Sequence, residues 1–155
     1  GVNALSPTSA MVISPNAELL LNNNSNVIGP LSGAGKVTLG TGTLTTQMTE
    51  ATTFAGNISG TGGLTISGIS TLTLSGTNTY SGDTDLTSPG TLAAGATNSL
   101  AADSTVLMDS GSNLYLNNFD NTIGALSGDD GNVVLGTGVL TLGGNNDTTN
   151  FGGVI

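Results

Sequence analysis

Leucines recur along this chain at an interval near 20 residues. Leu19 to Leu39, Leu44 to Leu64 and Leu72 to Leu92 are each 20 apart, Leu92 to Leu114 is 22, and Leu114 to Leu135 is 21. Around them lie short phrases in which apolar and small polar residues alternate: LTISG (64–68), TLTLSG (71–76), VVLG (133–136) and VLTLGG (139–144). A period of two puts the apolar set on one face of a strand. Thr suits the other face, with good strand propensity and no charge. Gly, Asn and Asp end each run and supply the left-handed backbone angles of sharp corners. The nearest approach to a helical period, NAELLLNN (16–23), has a repeat partner, SNLYLNN (112–118), that alternates like a strand. Short strands that return every 20 or so residues predict a solenoid whose units stack only on their neighbours. The expected fold is therefore all-β, a parallel β-helix with coils of about 20 residues. Length divided by period predicts roughly seven to eight coils. At about 4.8 Å per coil the rod is about 35 Å long.

A longer repeat encloses the short one. ELLLNNNSNVIGPLSG (18–33) matches NLYLNNFDNTIGALSG (113–128) at ten of sixteen positions, offset by 95. LGTGTLT (39–45) meets LGTGVLT (135–141) at 96, FAGNI (54–58) meets FGGVI (151–155) at 97, and GVNAL (1–5) lies opposite ATNSL (96–100). The drift means single-residue insertions, which turns tolerate and strand interiors do not. The chain is read as one β-helix segment, 1–155, with one long repeat over 1–95 and a partial one over 96–155. Five coils are expected per long repeat. The segment is expected to belong to a longer array, because FGGVI offers no polar capping coil.

Composition narrows the chemistry. Only 7% of residues are charged, against a usual quarter. Lys36 is the single basic side chain, His and Cys are absent, and the net charge is −9. Phosphates would find almost nothing to neutralise them, which excludes nucleic acid as a partner and an anionic bilayer as a docking surface. No apolar run nears the roughly 20 residues that span a bilayer, so this segment is not expected to insert directly.

The stretch GTGGLTISGISTLTLSGTNTYSGDTDLTSPGTLAAG (60–95) resembles the passenger-associated strand repeat of Gram-negative autotransporters. Gly60, Gly62, Leu64, Thr65, Gly68, Thr71, Leu72, Leu74, Gly76, Asn78, Thr79, Tyr80, Gly82, Thr84, Leu86, Gly90, Thr91 and Leu92 carry the likeness. Ser70 and Pro89 depart from it at corners. The resemblance implies a right-handed β-helix on the cell surface or secreted, exported by a separate translocator barrel. It implies structural rather than catalytic roles for Gly62, Leu64, Gly68, Leu72, Leu74, Gly76, Asn78, Tyr80, Gly82 and Leu92.

Residue chemistry points the same way. A Ser or Thr nucleophile needs a nearby base such as His or Lys, and this chain offers one Lys and no His. Carboxylate pairs remain, Asp83 with Asp85 and Asp129 with Asp130, of the kind glycosidases use. Their settings, SGDTD (81–85) and SGDDGN (127–132), are also oxygen-rich enough to raise calcium. The expectation is that corner Asp residues hold turns, with no catalytic, metal or cofactor site. The Asn clusters at 22–24 and 117–118 are expected to stack as amide ladders, with the Asn24/Phe119 position protruding. Phe54 and Phe151 are expected to share an internal row, and Tyr80 to pack at a strand end.

The resulting expectation is a stiff stalk and contact surface of an exported passenger. Its partners would be other copies of itself, end to end or side by side, or ligands on a host or cell surface. Two alternatives stand beside it. One is a filament-forming matrix subunit that stacks end to end. The other is a tandem immunoglobulin-like adhesin domain, since 97 residues also suits a sandwich; the inner period of 20 argues against it.

Overall fold

A computed structural model describes residues 4–155. The opening of the GVNAL match lies outside the described residues. Every paired strand runs parallel to its neighbours, and the chain winds as a three-faced β-solenoid of about seven turns. One face is a seven-stranded sheet in the order β1 (Met11–Ile13), β4 (Leu31–Gly33), β7 (Thr52–Phe54), β10 (Thr71–Leu74), β12 (Thr91–Ala94), β14 (Asn113–Tyr115) and β17 (Asn132–Val134). The second is six-stranded: β3 (Asn26–Ile28), β6 (Leu44–Met48), β9 (Leu64–Gly68), β11 (Thr84–Leu86), β13 (Thr105–Met108) and β16 (Ala125–Ser127). The third begins as β2 (Glu18–Leu20), β5 (Lys36–Thr38) and β8 (Asn57–Ser59), and resumes as β15 (Asn121–Ile123) and β18 (Leu140–Leu142). An immunoglobulin-like sandwich, which is antiparallel, is thereby excluded.

The alternation read from sequence sets the core. Leu64, Ile66, Leu72 and Leu74 are all fully buried, and Leu92 nearly so. Leu72 stacks on Leu92 and Leu92 on Leu114, while Leu44 stacks on Leu64. Two of the spacings need correction. Leu19 pairs with Val37 and Leu114 with Val133, so Leu39 and Leu135 each sit two residues past the stacking partner. The cause is coil length. The step between stacked strands is 18 residues from Glu18 to Lys36 and 22 from Thr84 to Val106. Corners absorb the difference, and an even slip preserves which side chains point inward.

The long repeat does not equal five coils. β2 and β14 carry equivalent phrases, yet β2 lies on the third face and β14 on the seven-stranded one. β3 is on the six-stranded face and its equivalent β15 on the third; β4 is on the seven-stranded face and its equivalent β16 on the six-stranded one. Each phrase has moved round by one face, so the repeat spans about four and two-thirds turns. Inward alternation survives the move: Leu21 and Leu116 are both buried, as are Ile28 and Ile123. The three walls are similar enough that one phrase can build any of them.

Candidate functional site

The family-like phrase from 60 to 95 occupies the middle of the rod and packs closely on the coils beneath it. Gly62 lies over Gly42, and Gly82 over Gly62. A Cβ at Gly62 would collide with the Gly42 carbonyl oxygen, and one at Gly76 with that of Gly56. Gly68 has φ +95° and ends β9 against Met48. These glycines let one coil's corner settle directly on the next.

Tyr80 is buried and packed as expected, but it lies between β10 and β11 rather than at a strand end, and its hydroxyl belongs to a chain that the sequence pattern did not reveal. The Tyr80 Oη lies 2.6 Å from Thr84 Oγ1, which lies 2.7 Å from Ser104 Oγ. Ser104 Oγ donates to the Gly82 carbonyl at 2.7 Å. That last bond uses the Ser104 proton, so Thr84 donates to Ser104 and Tyr80 donates to Thr84. Burial pushes the Tyr80 phenol up to about 12, against the smaller opposing effect of hydrogen bonding with Thr84 and Ser104. The chain ends on a backbone carbonyl and touches no base, so it fixes geometry and activates no nucleophile.

Asn78 stands where the third face has no regular strand. Its Oδ1 accepts the Ile58 N–H at 2.8 Å, and its Nδ2 donates to the Ser99 carbonyl at 2.6 Å. It thus ties the coil before it to the coil after it. Asn121, two coils on, ties itself to the coil before it and to its own corner. Its Oδ1 accepts the Ser99 and Leu100 N–H groups at 2.9 and 3.0 Å, and its Nδ2 donates to Ala96 and Phe119 carbonyls. Asn26, the repeat equivalent of Asn121, accepts the Ala4 N–H at 2.9 Å. All three are buried. Their signal was present in NVI, NTY and NTI, each an Asn two residues before a large inward side chain. Ser99 Oγ, enclosed between Asn78 and Asn121, is the one buried side-chain polar atom among the described residues without a hydrogen-bond partner.

The exposed Asn clusters do not form amide ladders. They lie at different corners of the solenoid, residues 22–24 between β2 and β3 and residues 117–118 between β14 and β15, so they cannot stack on one another. Asn22, Asn23, Asn117 and Asn118 all have positive φ, between 50° and 69°, and make tight left-handed corners. Asn23 Oδ1 accepts the Thr41 N–H, and Asn118 Oδ1 the Thr137 N–H, one coil further on. Phe119 does protrude. Phe54 and Phe151 share no row, for the same reason of rotation: Phe54 is buried on the seven-stranded face beside Leu74, whereas Phe151 is partly exposed and bridges to Gly128.

The carboxylates gather on and around the six-stranded face. Asp85 sits in its outer column between Thr65 and Leu107. Partial burial raises its pKa, and Asp109 and Asp83 raise it further. A shallow groove of about 320 Å³ runs beside it, lined by Thr41, Thr43, Thr61, Thr65, Asp83 and Asp85. Asp130 does hold its turn. It accepts the Gly131 N–H and the Ser110 hydroxyl, both at 2.8 Å, and these bonds lower its pKa. Among the described residues no three acidic side chains converge closely enough to hold a metal ion.

Against family models, characterised proteins and solved structures, the chain gives no match.

Proposed function

We propose that this chain is a rigid stalk and contact surface within an exported, autotransporter-type passenger on a bacterial cell surface, and that it is not an enzyme. The observation that carries the reading is where the reactive groups are spent. The buried hydroxyls and amides of Tyr80, Thr84, Ser104, Asn78 and Asn121 all bond to one another or to backbone within or between coils. What faces solvent is a set of long walls of Thr, Ser, Asn and a few carboxylates. Parallel ladders that share every coil resist bending, and weakly charged walls favour broad, low-affinity contact. The likeness of residues 60–95 to the passenger-associated strand repeat supports the export route.

Display tests the proposal. Fused to an unrelated outer-membrane translocator on non-adherent cells, the chain should promote attachment to surfaces or clumping. Cells that display it at high density and remain dispersed and unattached would refute it.

A further inference from the structure

The seven-stranded face differs from the rest of the molecule in charge. Its strands carry no Asp, Glu, Lys or Arg, although the chain has a net charge of −9. The six-stranded face carries Asp85, and the third face Glu18 and Lys36. One outer column crosses all seven strands: Val12, Ser32, Thr53, Thr73, Ala93, Tyr115 and Val134. Its two ends expose aliphatic side chains, Val12 at 68% and Val134 at 40%. Its middle member, Thr73, lies on β10, the fourth of the seven strands.

We infer that a second copy of this chain docks on this face, with the two rods antiparallel about a twofold axis that runs along β10. The other two faces would carry charged side chains into the contact, Asp85 on one and Glu18 and Lys36 on the other, and taking those charges out of water costs affinity. A twofold along β10 makes the outer column self-complementary. Val12 meets Val134 of the other copy, Ser32 meets Tyr115, Thr53 lies over the position of the buried Ala93, and Thr73 meets itself. The valines at both ends become covered together. The corner carboxylates also escape one another. The Glu50 corner falls opposite Ser88–Gly90, the Asp109 corner opposite Gly29–Pro30, and the Asp129–Asp130 corner opposite Ser9–Ala10, all uncharged. Six strand spacings give a strip about 29 Å long and three to four residues wide. That is small for an interface, so the pair is weak and exchanges quickly. This partner rests on the contact-surface reading and says which wall is used and by what.

The chain has no cysteine, which makes cross-linking unambiguous. Val12→Cys and Val134→Cys chains, purified separately and mixed under mild oxidation, should form a disulfide-linked heterodimer. Each alone should stay uncross-linked, since the two copies of either residue lie at opposite ends of the strip. Sedimentation of the unmodified chain should show a monomer–dimer equilibrium that tightens as salt screens the −9 charge. Thr73→Asp should weaken it by more than about tenfold, and Thr65→Asp, on the six-stranded face, should leave it unchanged. A chain that stays monomeric at millimolar concentration would overturn the proposal. So would Val12→Cys cross-linking to itself as readily as to Val134→Cys, or Thr65→Asp and not Thr73→Asp abolishing association. If displayed cells attach to a surface while the purified chain never pairs, only the pairing fails. If the chain pairs and displayed cells stay dispersed and unattached, the contact-surface reading fails instead.

Discussion

The phenolic oxygen of Tyr80 sits 2.6 Å from the hydroxyl of Thr84, with both side chains buried. Thr84 is the hinge of the chain, because it receives one hydrogen bond and gives the next. Thr84→Val should therefore cost more than Tyr80→Phe. The first strands a buried phenol, at about 1–3 kcal/mol, while the second removes one bond worth about 1 kcal/mol. The double substitution should cost less than the sum. Urea titrations of the three variants check the order.

The same phenol makes stability depend on alkaline pH. Its folded pKa is about 12, raised from 10.0. The folded state therefore holds its proton where the unfolded chain has lost it. That contribution is complete below pH 10 and is lost as pH rises from about 10 to about 12. Tyr80→Phe should flatten this part of the stability profile, followed by circular dichroism melts across that range.

Leu72, sealed between Thr52 and Leu92 in the stack, measures what one inner row is worth. Leu72→Ala should destabilise by about 2–5 kcal/mol. Leu72→Asp should unfold the neighbouring coils, since it buries a charge without a partner. Its immediate neighbour Thr73 points outward, so Thr73→Asp should leave the unfolding free energy of the monomer within about 0.5 kcal/mol of the parent. Equal losses at 72 and 73 would contradict the alternation.

Asp85 works against the fold at neutral pH, because burial and the nearby Asp109 and Asp83 disfavour its charge. A raised carboxyl pKa means that its favourable contribution is present below the unfolded value of 3.8 and is lost as pH climbs through the folded pKa. Asp85→Asn should thus raise stability slightly at pH 7, and the gain should vanish towards pH 3. Chemical denaturation at the two pH values decides it.

Asn121 and Ser99 form a contrasting pair. Asn121→Ala strips the acceptor from two N–H groups, Ser99 and Leu100, each worth about 1–3 kcal/mol when left buried and unpaired. Ser99→Ala removes a hydroxyl that bonds to nothing, and should be neutral or stabilising. Amide hydrogen exchange at Leu100 should rise in the first variant and not in the second.

The period of 20 and the alternation around Leu64, Ile66, Leu72 and Leu74 were enough to read the solenoid and its core. They were not enough to locate faces. A strand phrase states which residues point inward, and nothing in it says which of three similar walls it builds. That is why equivalent phrases 95 residues apart were expected to align and instead rotate by one face. Inward polar residues escaped notice for a related reason. Thr84 has a β-branched shape that suits either side of a strand, and its burial depends on Tyr80 and Ser104 arriving from elsewhere in the winding. Asn121 reads as a turn residue until the N–H groups of the previous coil are placed against it.

Stiffness is the property on which the stalk rests, and a distance across the rod measures it. Val27 and Ser127 share the outer column of the six-stranded face, on its two edge strands, five strand spacings apart. With nitroxide labels on cysteines introduced at these two positions, pulsed electron resonance should report a single narrow distance near about 24 Å. A broad or multiple distribution, or a mean far from that value, would contradict a rigid parallel rod.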